Sequence, residues 1–407
     1  MAVAGAGVFG RNHLRVMREL ETAGGGVALV AAVDPDTTRA ADAAKQYGIP
    51  VFASIDELLQ ADLKLDAACV AVPTVKHHEV AAALLDAGLD LLVEKPLAAN
   101  VEEADDLIAR AERGARILQT GHLERFNPAV LAVEPKLKRP MFFEAHRLSV
   151  FTPRSLDVDV VLDLMIHDLD IVLTFAGSPV REVRAVGLPI LSPKVDIANV
   201  RVEFESGCVA NFTASRVSTE RVRKLRFFEP RQYVSIDYAR RDVLVIRVEG
   251  SGVIGDSGDS QVGDEHRLPP GSSAQLAQTA AEFVATGKLD PAAIQSLMGS
   301  GKIPAGLVMK VLAAKNDPEK LKEIAKGLAA SQDGPAPGLG FVKPDVTPGE
   351  PLKLEIESFL ESVRTRREPK VTARQGRAAL ELALTIQASM AAHAERAGLG
   401  DFFKGSC

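Results

Sequence analysis

Gly5, Gly7 and Gly10 have the G-x-G-x-x-G spacing of a loop that holds the pyrophosphate of a dinucleotide. The triplet lies between a short apolar strand and an amphipathic helical pattern over residues 12–20, which is the context that such a loop requires. Gly5 would allow the tight turn, Gly7 a close approach of the backbone to the pyrophosphate, and Gly10 close packing of the helix on the strand. The unpaired amides where the helix begins would then bind the anion. The pattern predicts a dinucleotide site.

Asp34 follows the second apolar strand, residues 27–33, and bears on which dinucleotide is bound. A carboxylate at this position can accept hydrogen bonds from both ribose hydroxyls and repels a 2′-phosphate. Pro35 and Asp36 come next and no arginine precedes Arg39, so we expect little positive charge for NADP. The pattern favours NAD over NADP as the cofactor.

The composition bounds the class of protein. The 407 residues carry a formal charge of −6, which offers no general attraction to nucleic acid, and they are long enough for two or more domains. No apolar run reaches the roughly 18–20 residues of a membrane span. Because the chain starts with a structural strand, we expect no signal peptide. The three cysteines lack metal-ligand spacing, so we expect no metal site and a cytoplasmic protein.

The order of apolar strands and helical patterns indicates an α/β protein with two kinds of sheet. Strands and helices alternate over residues 1–120, which predicts a doubly wound parallel (Rossmann) sheet with ligands at the carboxyl ends of its strands. Residues 121–250 are β-rich around one helix at 160–175, and residues 345–400 are helical. Together they predict a C-terminal α+β domain with an open, mostly antiparallel sheet. Residues 251–344 read as a linker-flanked helical insertion, with helical patterns at 291–298 and 318–328.

Two further groups of residues could carry acid–base chemistry. Glu94, Lys95 and Pro96 follow a predicted strand, at the edge where ligands bind, although two charges at a strand end are by themselves typical of a solvated surface. A Lys–Pro bond can be cis at modest cost, which would direct the lysine. Asp163 and His167 are four residues apart, so we expect them on one face of a helix together with Asp170. His167 has a side chain suited to proton transfer near neutral pH.

These motifs together resemble the Gfo/Idh/MocA family, which includes glucose–fructose oxidoreductase and inositol dehydrogenase. The resemblance covers about residues 1–250 and 345–397, and the insertion departs from the family's usual pattern. It implies an NAD(P)-dependent enzyme that oxidises or reduces a secondary alcohol of a sugar or cyclitol. By this resemblance Lys95, His167 and Asp163 are the predicted catalytic residues. The predicted cofactor-binding residues are Gly5, Gly7, Val8, Phe9, Gly10, Asp34, Pro73, Thr74, His77, Glu94 and Lys95.

Residues 120–129, with the run Gly-His-Leu-Glu-Arg-Phe-Asn-Pro-Ala, resemble family members that act on UDP-N-acetylhexosamines. That subgroup includes UDP-N-acetylglucosamine 3-dehydrogenases, whose keto product goes to an aminotransferase in lipid A assembly. By this resemblance His122, Arg125, Asn127 and Asp163 are the predicted substrate-binding residues. The arginines predicted as candidate diphosphate ligands are Arg125, Arg147, Arg154 and Arg216.

The sequence therefore favours an NAD-dependent dehydrogenase of a sugar or sugar nucleotide, with UDP-N-acetylglucosamine as the best substrate. A free cyclitol or aldose, and a non-catalytic cofactor-binding sensor, are the alternatives. Which of Lys95 and His167 is the proximal base stays open. We also expect a homo-oligomer, because open sheets of this type usually pair.

Overall fold

The computed structural model describes residues 1–152, 158–248 and 339–399. Arg154, Cys407 and the helical patterns at 291–298 and 318–328 lie outside the described residues. So does all of the predicted insertion 251–344 except its last six residues. Within the described ranges no helix combines the length and the apolar composition needed to cross a membrane.

The first sheet is parallel, as predicted, and its described strands have the order β3-β2-β1-β4-β5-β6. The order reverses at β1 and β4, and the crevice outside their carboxyl ends is where such sheets bind ligands. The two-residue strand β3 was not predicted. The strands are β1 (Ala2–Ala4), β2 (Ala31–Val33), β3 (Val51–Phe52), β4 (Ala67–Val70), β5 (Asp90–Glu94) and β6 (Leu118–Gly121). The helices between them are α1 (Val8–Thr22), α2 (Thr37–Tyr47), α3 (Ile55–Gln60), α4 (His77–Asp86) and α5 (Val101–Arg113).

Both faces of this sheet are buried because alternate residues of each strand enter different cores. In β5, Leu92 joins the core with α1, whereas Leu91 and Val93 join the core with α4 and α5. Burial on both sides explains why these strands read as continuous apolar runs.

The second sheet has the described order β14-β13-β12-β11-β7-β10-β9-β8. Its pairings are antiparallel except that β7 runs parallel to β10. In β9 the side chains of Val200, Val202 and Phe204 are buried and Arg201 is exposed, so one face packs on the core. The strands are β7 (Phe142–Leu148), β8 (Val180–Leu188), β9 (Ile197–Phe204), β10 (Val209–Ser215), β11 (Val222–Glu229), β12 (Gln232–Asp237), β13 (Asp242–Val248) and β14 (Leu339–Val342). The last of these lies within a stretch that the sequence predicted as linker.

The remaining helices connect the two sheets. α6 (Pro128–Val133) follows β6, and a π-helical turn, Val161–Met165, runs into α7 (Ile166–Ala176). α8 (Pro351–Thr365) packs in the core of the first sheet through Ile356, Phe359 and Leu360. α9 (Ala373–Arg396) places Leu380 in one core of the first sheet and Ile386 in the core of the second. Residues Met1–Arg247 and the segment from Phe341 onward form one compact unit.

Gly376 marks the closest approach of α9 to the first sheet. A Cβ built on Gly376 would lie 2.2 Å from Oγ1 and 2.7 Å from Cγ2 of Thr120, whose side chain is fully buried. Glycine inside a helix normally costs about 1 kcal/mol relative to alanine. Here the overlap reverses that preference.

We predict that Gly376→Ala lowers the free energy of unfolding by about 1–3 kcal/mol, because overpacking a buried contact forces its neighbours to move. Urea denaturation of the purified chain measures the change. The double variant Gly376→Ala/Thr120→Ala should recover part of the loss. A stabilised Gly376→Ala protein would contradict the packing of α9 on β6.

Candidate active site

The loop between β1 and α1 has the backbone that a bound pyrophosphate requires. Gly5 has a φ of +96°, and a Cβ there would lie 2.6 Å from the carbonyl oxygen of Ala71. A Cβ on Gly10 would lie 1.7 Å from the carbonyl oxygen of Gly5, so no other residue fits. A Cβ on Gly7 would meet nothing within 4 Å, because this glycine faces open space. The three positions therefore have the roles predicted for them, and the cradle fits a dinucleotide.

The first turn of α1 is exposed on the same side. Gly7 caps the helix without a side-chain hydrogen bond, so the next amides are available to an anion. The side chains of Val8 and Phe9 are 71% and 56% exposed, which is unusual for apolar residues beside a buried sheet. Pro73 and Thr74 follow β4 across the crevice and begin a 3₁₀ turn. These four residues form an open apolar and amide surface at the carboxyl ends of β1 and β4.

Asp34 lies at the end of β2, as predicted, but the expectation of little positive charge beside it is wrong. Arg39, one turn into α2, donates from Nε and Nη2 to the Asp34 carboxylate over 2.8–3.2 Å. The carboxylate also accepts from the amides of Ala6 at 2.8 Å and Asp36 at 2.9 Å. Burial alone would raise the pKa of Asp34, but the hydrogen bond from Arg39 and the two amides lower it. Asp34 is therefore a firmly ionised group with a movable cation on it.

Glu94, at the end of β5, is held by a histidine that the sequence analysis did not identify. His13 of α1 is buried, and its Nε2 lies 2.7 Å from Oε1 of Glu94. Burial alone would raise the pKa of Glu94, but the hydrogen bond and the charge of His13 lower it. Gly121 of β6 leaves room for this carboxyl, since a Cβ there would lie 3.3 Å from Oε2 of Glu94. A histidine inside an otherwise apolar helix pattern was the signal available in the sequence.

Lys95 crosses from the end of β5 to the helix of the second domain. The Lys95–Pro96 peptide is cis. The Lys95 Nζ donates to the carbonyl oxygens of Asp163 at 2.8 Å and Leu162 at 3.3 Å. Burial lowers the pKa of Lys95, and the charges of Asp163 and Glu94 partly oppose the shift. The amine is thus closer to its neutral, proton-accepting form than a solvated lysine.

His167 lies in the first turn of α7, directly after the carbonyls that bind Lys95. The continuous helix predicted over 160–175 instead begins with the π-helical turn, and Asp163 lies in it. A side chain that hydrogen-bonds to helix carbonyls competes with the helix's own ladder, which is one cause of such distortions. Burial and the charge of Lys95 hold the pKa of His167 well below its usual range, so its imidazole is neutral at pH 7.

His77, predicted to bind cofactor, is enclosed instead by backbone. It lies at the start of α4, is 1% exposed, and its ring nitrogens are 2.8 Å from the carbonyl oxygen of Pro96 and 2.9 Å from that of Val72. Burial lowers its pKa. The side chain ties together the backbone that follows β4 and β5, so it positions Lys95 and Pro73 and lies beneath the crevice.

His122, Arg125 and Asn127, predicted to bind substrate, are all at most 4% exposed. The side chain of Asn127 caps α6 by accepting from Ala129 and donates to the carbonyl oxygen of Tyr238 at 3.1 Å. Arg125 donates to Thr174 and lies 3.7 Å from Asp170. Their donors are therefore occupied within the protein, and this loop supports the site from behind.

Two of the other arginines predicted to contact a diphosphate are also buried in ion pairs. Arg147 of β7 donates to both oxygens of Asp168 at 2.7 and 2.9 Å, and Arg216 donates to Asp196 at 2.7 Å. Arg223 of β11 differs, because it lies beside Arg147 in register and makes no ion pair within the described residues. The charge of Arg223 contributes to lowering the pKa of His167, so this cation is close to the site. Sequence analysis did not identify it.

Comparison with known proteins accounts for this arrangement. A family model described as "Oxidoreductase family, NAD-binding Rossmann fold" matches residues 1–122, and one described as "GFO/IDH/MocA C-terminal domain" matches residues 130–231. The chain belongs to the Gfo/Idh/MocA family. Like other members it is an NAD(P)-dependent dehydrogenase acting on CH–OH groups.

Individual family members show similarity at different levels. The UDP-N-acetylglucosamine 3-dehydrogenase of Acidithiobacillus ferrooxidans is 37% identical over 62% of this chain and 78% of its own length. A solved structure of that enzyme superposes with a TM-score of 0.71 at 28% identity, covering 96% of this chain and 97% of its own. The scyllo-inositol 2-dehydrogenase (NAD⁺) of Bacillus subtilis is 27% identical over 53% of this chain and 67% of its own length.

Proposed function

We propose that the chain is an NAD-dependent dehydrogenase of a sugar nucleotide, with UDP-N-acetylglucosamine oxidised at C3 as its reaction. The observation that carries the proposal is the contact of the Lys95 Nζ with the carbonyl oxygens of Leu162 and Asp163. It brings an amine of lowered pKa to the turn that leads into His167. The 37% identity to a UDP-N-acetylglucosamine 3-dehydrogenase supports this choice of substrate.

The bound nicotinamide would supply the hydride acceptor. The cradle at Gly5, Gly7 and Gly10 would hold its pyrophosphate, and Asp34 its adenosine ribose. The chain's own task is to take the hydroxyl proton. Lys95 and His167 share that task, since both have lowered pKa values and are able to accept a proton near neutral pH. Asp163 lies between them and would orient the pair or contact the substrate.

The sugar-nucleotide proposal needs cations for two phosphates. Arg125, Arg147 and Arg216 are engaged with carboxylates inside the protein. Arg223 is the stronger candidate, because burial and the neighbouring charge of Arg147 lower its pKa. A phosphate beside Arg223 would offset both costs.

We predict that the protein binds NAD more tightly than NADP, because Asp34 is ionised and repels a 2′-phosphate. Asp34→Ala should narrow the difference by removing that repulsion and freeing Arg39. Calorimetric titration with each cofactor measures both effects. Arg39→Ala is the matched control and should weaken NADP more than NAD. Tighter binding of NADP by the unaltered protein would overturn the assignment.

We predict that Lys95→Ala and His167→Ala each lower turnover by roughly 10²-fold or more, the usual loss for an acid–base group. In the unaltered enzyme, oxidative kcat/KM should rise with pH as Lys95 deprotonates. The midpoint should lie below the ordinary lysine value, because burial lowers that pKa. Lys95→Ala should lose this rising limb. NAD should still bind to His167→Ala. Near-normal turnover in both variants would favour a non-catalytic sensor.

We predict that UDP-N-acetylglucosamine reduces NAD in an assay coupled to an aminotransferase that consumes the keto sugar. The coupling is needed because alcohol oxidation by NAD is unfavourable and a small signal would be lost. Arg223→Ala should raise KM for the UDP-sugar, whereas Arg226→Ala on the same strand should not. Activity on myo-inositol or free glucose alone would assign the substrate to the cyclitols or aldoses and leave the dehydrogenase assignment intact.

A further inference from the structure

His122 and Asp170 form an unusual pair of buried groups behind the site. His122 is 1% exposed, and neither ring nitrogen has a hydrogen-bond partner among the described residues. Asp170 of α7 is also 1% exposed, and neither of its carboxyl oxygens has a hydrogen-bond partner there. Burying such groups unsatisfied is costly, and in folded proteins they are usually bridged by ordered internal water. The pair therefore has free positions on every atom that can carry a proton.

One end of this pair faces the predicted catalytic residues. The charge of Lys95 lowers the pKa of His122, and the charge of His122 in turn lowers that of His167, so the three lie close together. His122 directly follows β6, the neighbour of the strand that carries Lys95. The imidazole thus lies between the site and the protein interior.

The other end opens to a different part of the surface. Asp170 lines a cavity of about 860 Å³ between α7, β8 and α9. Thr174, Arg181, Gln375, Glu381 and Thr385 also line it, so its wall is polar and able to hold water. The cavity is thus a way out for a proton that does not pass through the cofactor crevice.

We propose that His122 and Asp170 relay the substrate's hydroxyl proton from Lys95 and His167 to the cavity between α7, β8 and α9. The proposal rests on the proposed function. As the hydride leaves the carbinol carbon for the cofactor, the hydroxyl O–H bond breaks and its proton passes to the Lys95–His167 pair. One ring nitrogen of His122 then takes a proton while the other releases one to Asp170. Asp170 passes it to water in the cavity, which restores every group.

The charges around the relay suit this direction. Burial lowers the pKa of His122, and Asp170 opposes that shift more strongly than Lys95, Arg125 or Glu94 act on it. Burial raises the pKa of Asp170, with His122 and Arg125 opposing and Glu134 adding to the rise. A neutral imidazole beside a readily protonated carboxyl exchanges a proton at small cost near neutral pH.

A buffer-rescue experiment tests the relay during turnover. Asp170→Asn and His122→Asn should each lower kcat about tenfold or more at low buffer concentration, because proton exit becomes limiting. Millimolar imidazole should restore kcat, since a small base can carry the proton through the cavity, and KM should stay the same. A pH indicator followed together with NADH absorbance should show proton release lagging behind NADH in both variants.

Glu381→Gln is the matched control, because it converts an acid to its amide in the wall of the same cavity. Its kcat should not depend on buffer. A loss of kcat in Asp170→Asn that imidazole does not restore would overturn the relay and make Asp170 structural. Unchanged kcat at low buffer in both variants would overturn it as well.

A titration without substrate separates this proposal from the proposed function. Histidine NMR of the cofactor-free protein, with the His122 signal assigned by its loss in His122→Asn, gives the pKa of His122 directly. Asp170→Asn should lower that pKa, because a carboxylate that favours the imidazolium is removed. Glu381→Gln should leave it unchanged. A His122 pKa that does not respond to residue 170 would overturn the relay whatever the substrate is.

Discussion

A buried lysine between two domains is the constraint on which the rest of the site depends. An amine held away from water must find acceptors, and Lys95 finds them in the backbone carbonyls of Leu162 and Asp163. The contact joins the end of a parallel strand to the helix that carries His167. The π-helical turn at Val161–Met165, the enclosed His77 and the tie between His13 and Glu94 all surround this one contact. Geometry at the reacting centre is thus set by backbone atoms, which side-chain substitutions disturb least.

Much of the fold was predictable because burial imposes a period on the sequence. β8, β11, α3 and α5 have the bounds that their patterns predict, since each alternates or repeats cleanly against one core. β3 was missed because two half-buried residues leave no period to detect. The π-helical turn was missed because one widened turn hardly alters the apolar spacing of a helix. β14 stands in a stretch rich in glycine and proline, where the composition indicates a linker.

The site was predictable where chemistry sits on a local motif, and less so where it depends on distant partners. The glycine loop, Lys95 and His167 lie where the motifs place them. Whether an arginine meets a phosphate or a carboxylate depends on what folds against it, and Arg147 meets Asp168 from a different element. The partnership of Asp34 with Arg39 is an exception, because the two are only one helical turn apart. His13 was missed because one polar residue in an apolar helix pattern is compatible with a core position.

The last two helices have a consequence for the order of events during synthesis. The parallel sheet is encoded at the start of the chain, yet one of its cores is completed by Phe359 of α8 and another by Leu380 of α9. A nascent chain emerging from the ribosome therefore presents an unfinished apolar surface until its final part has been translated. Closing a loop of that length costs chain entropy that grows only logarithmically with length, so the delay in time is the greater burden. During that interval the cofactor half is exposed to chaperones and to aggregation, and a bound dinucleotide could shorten the exposure by favouring its compact form.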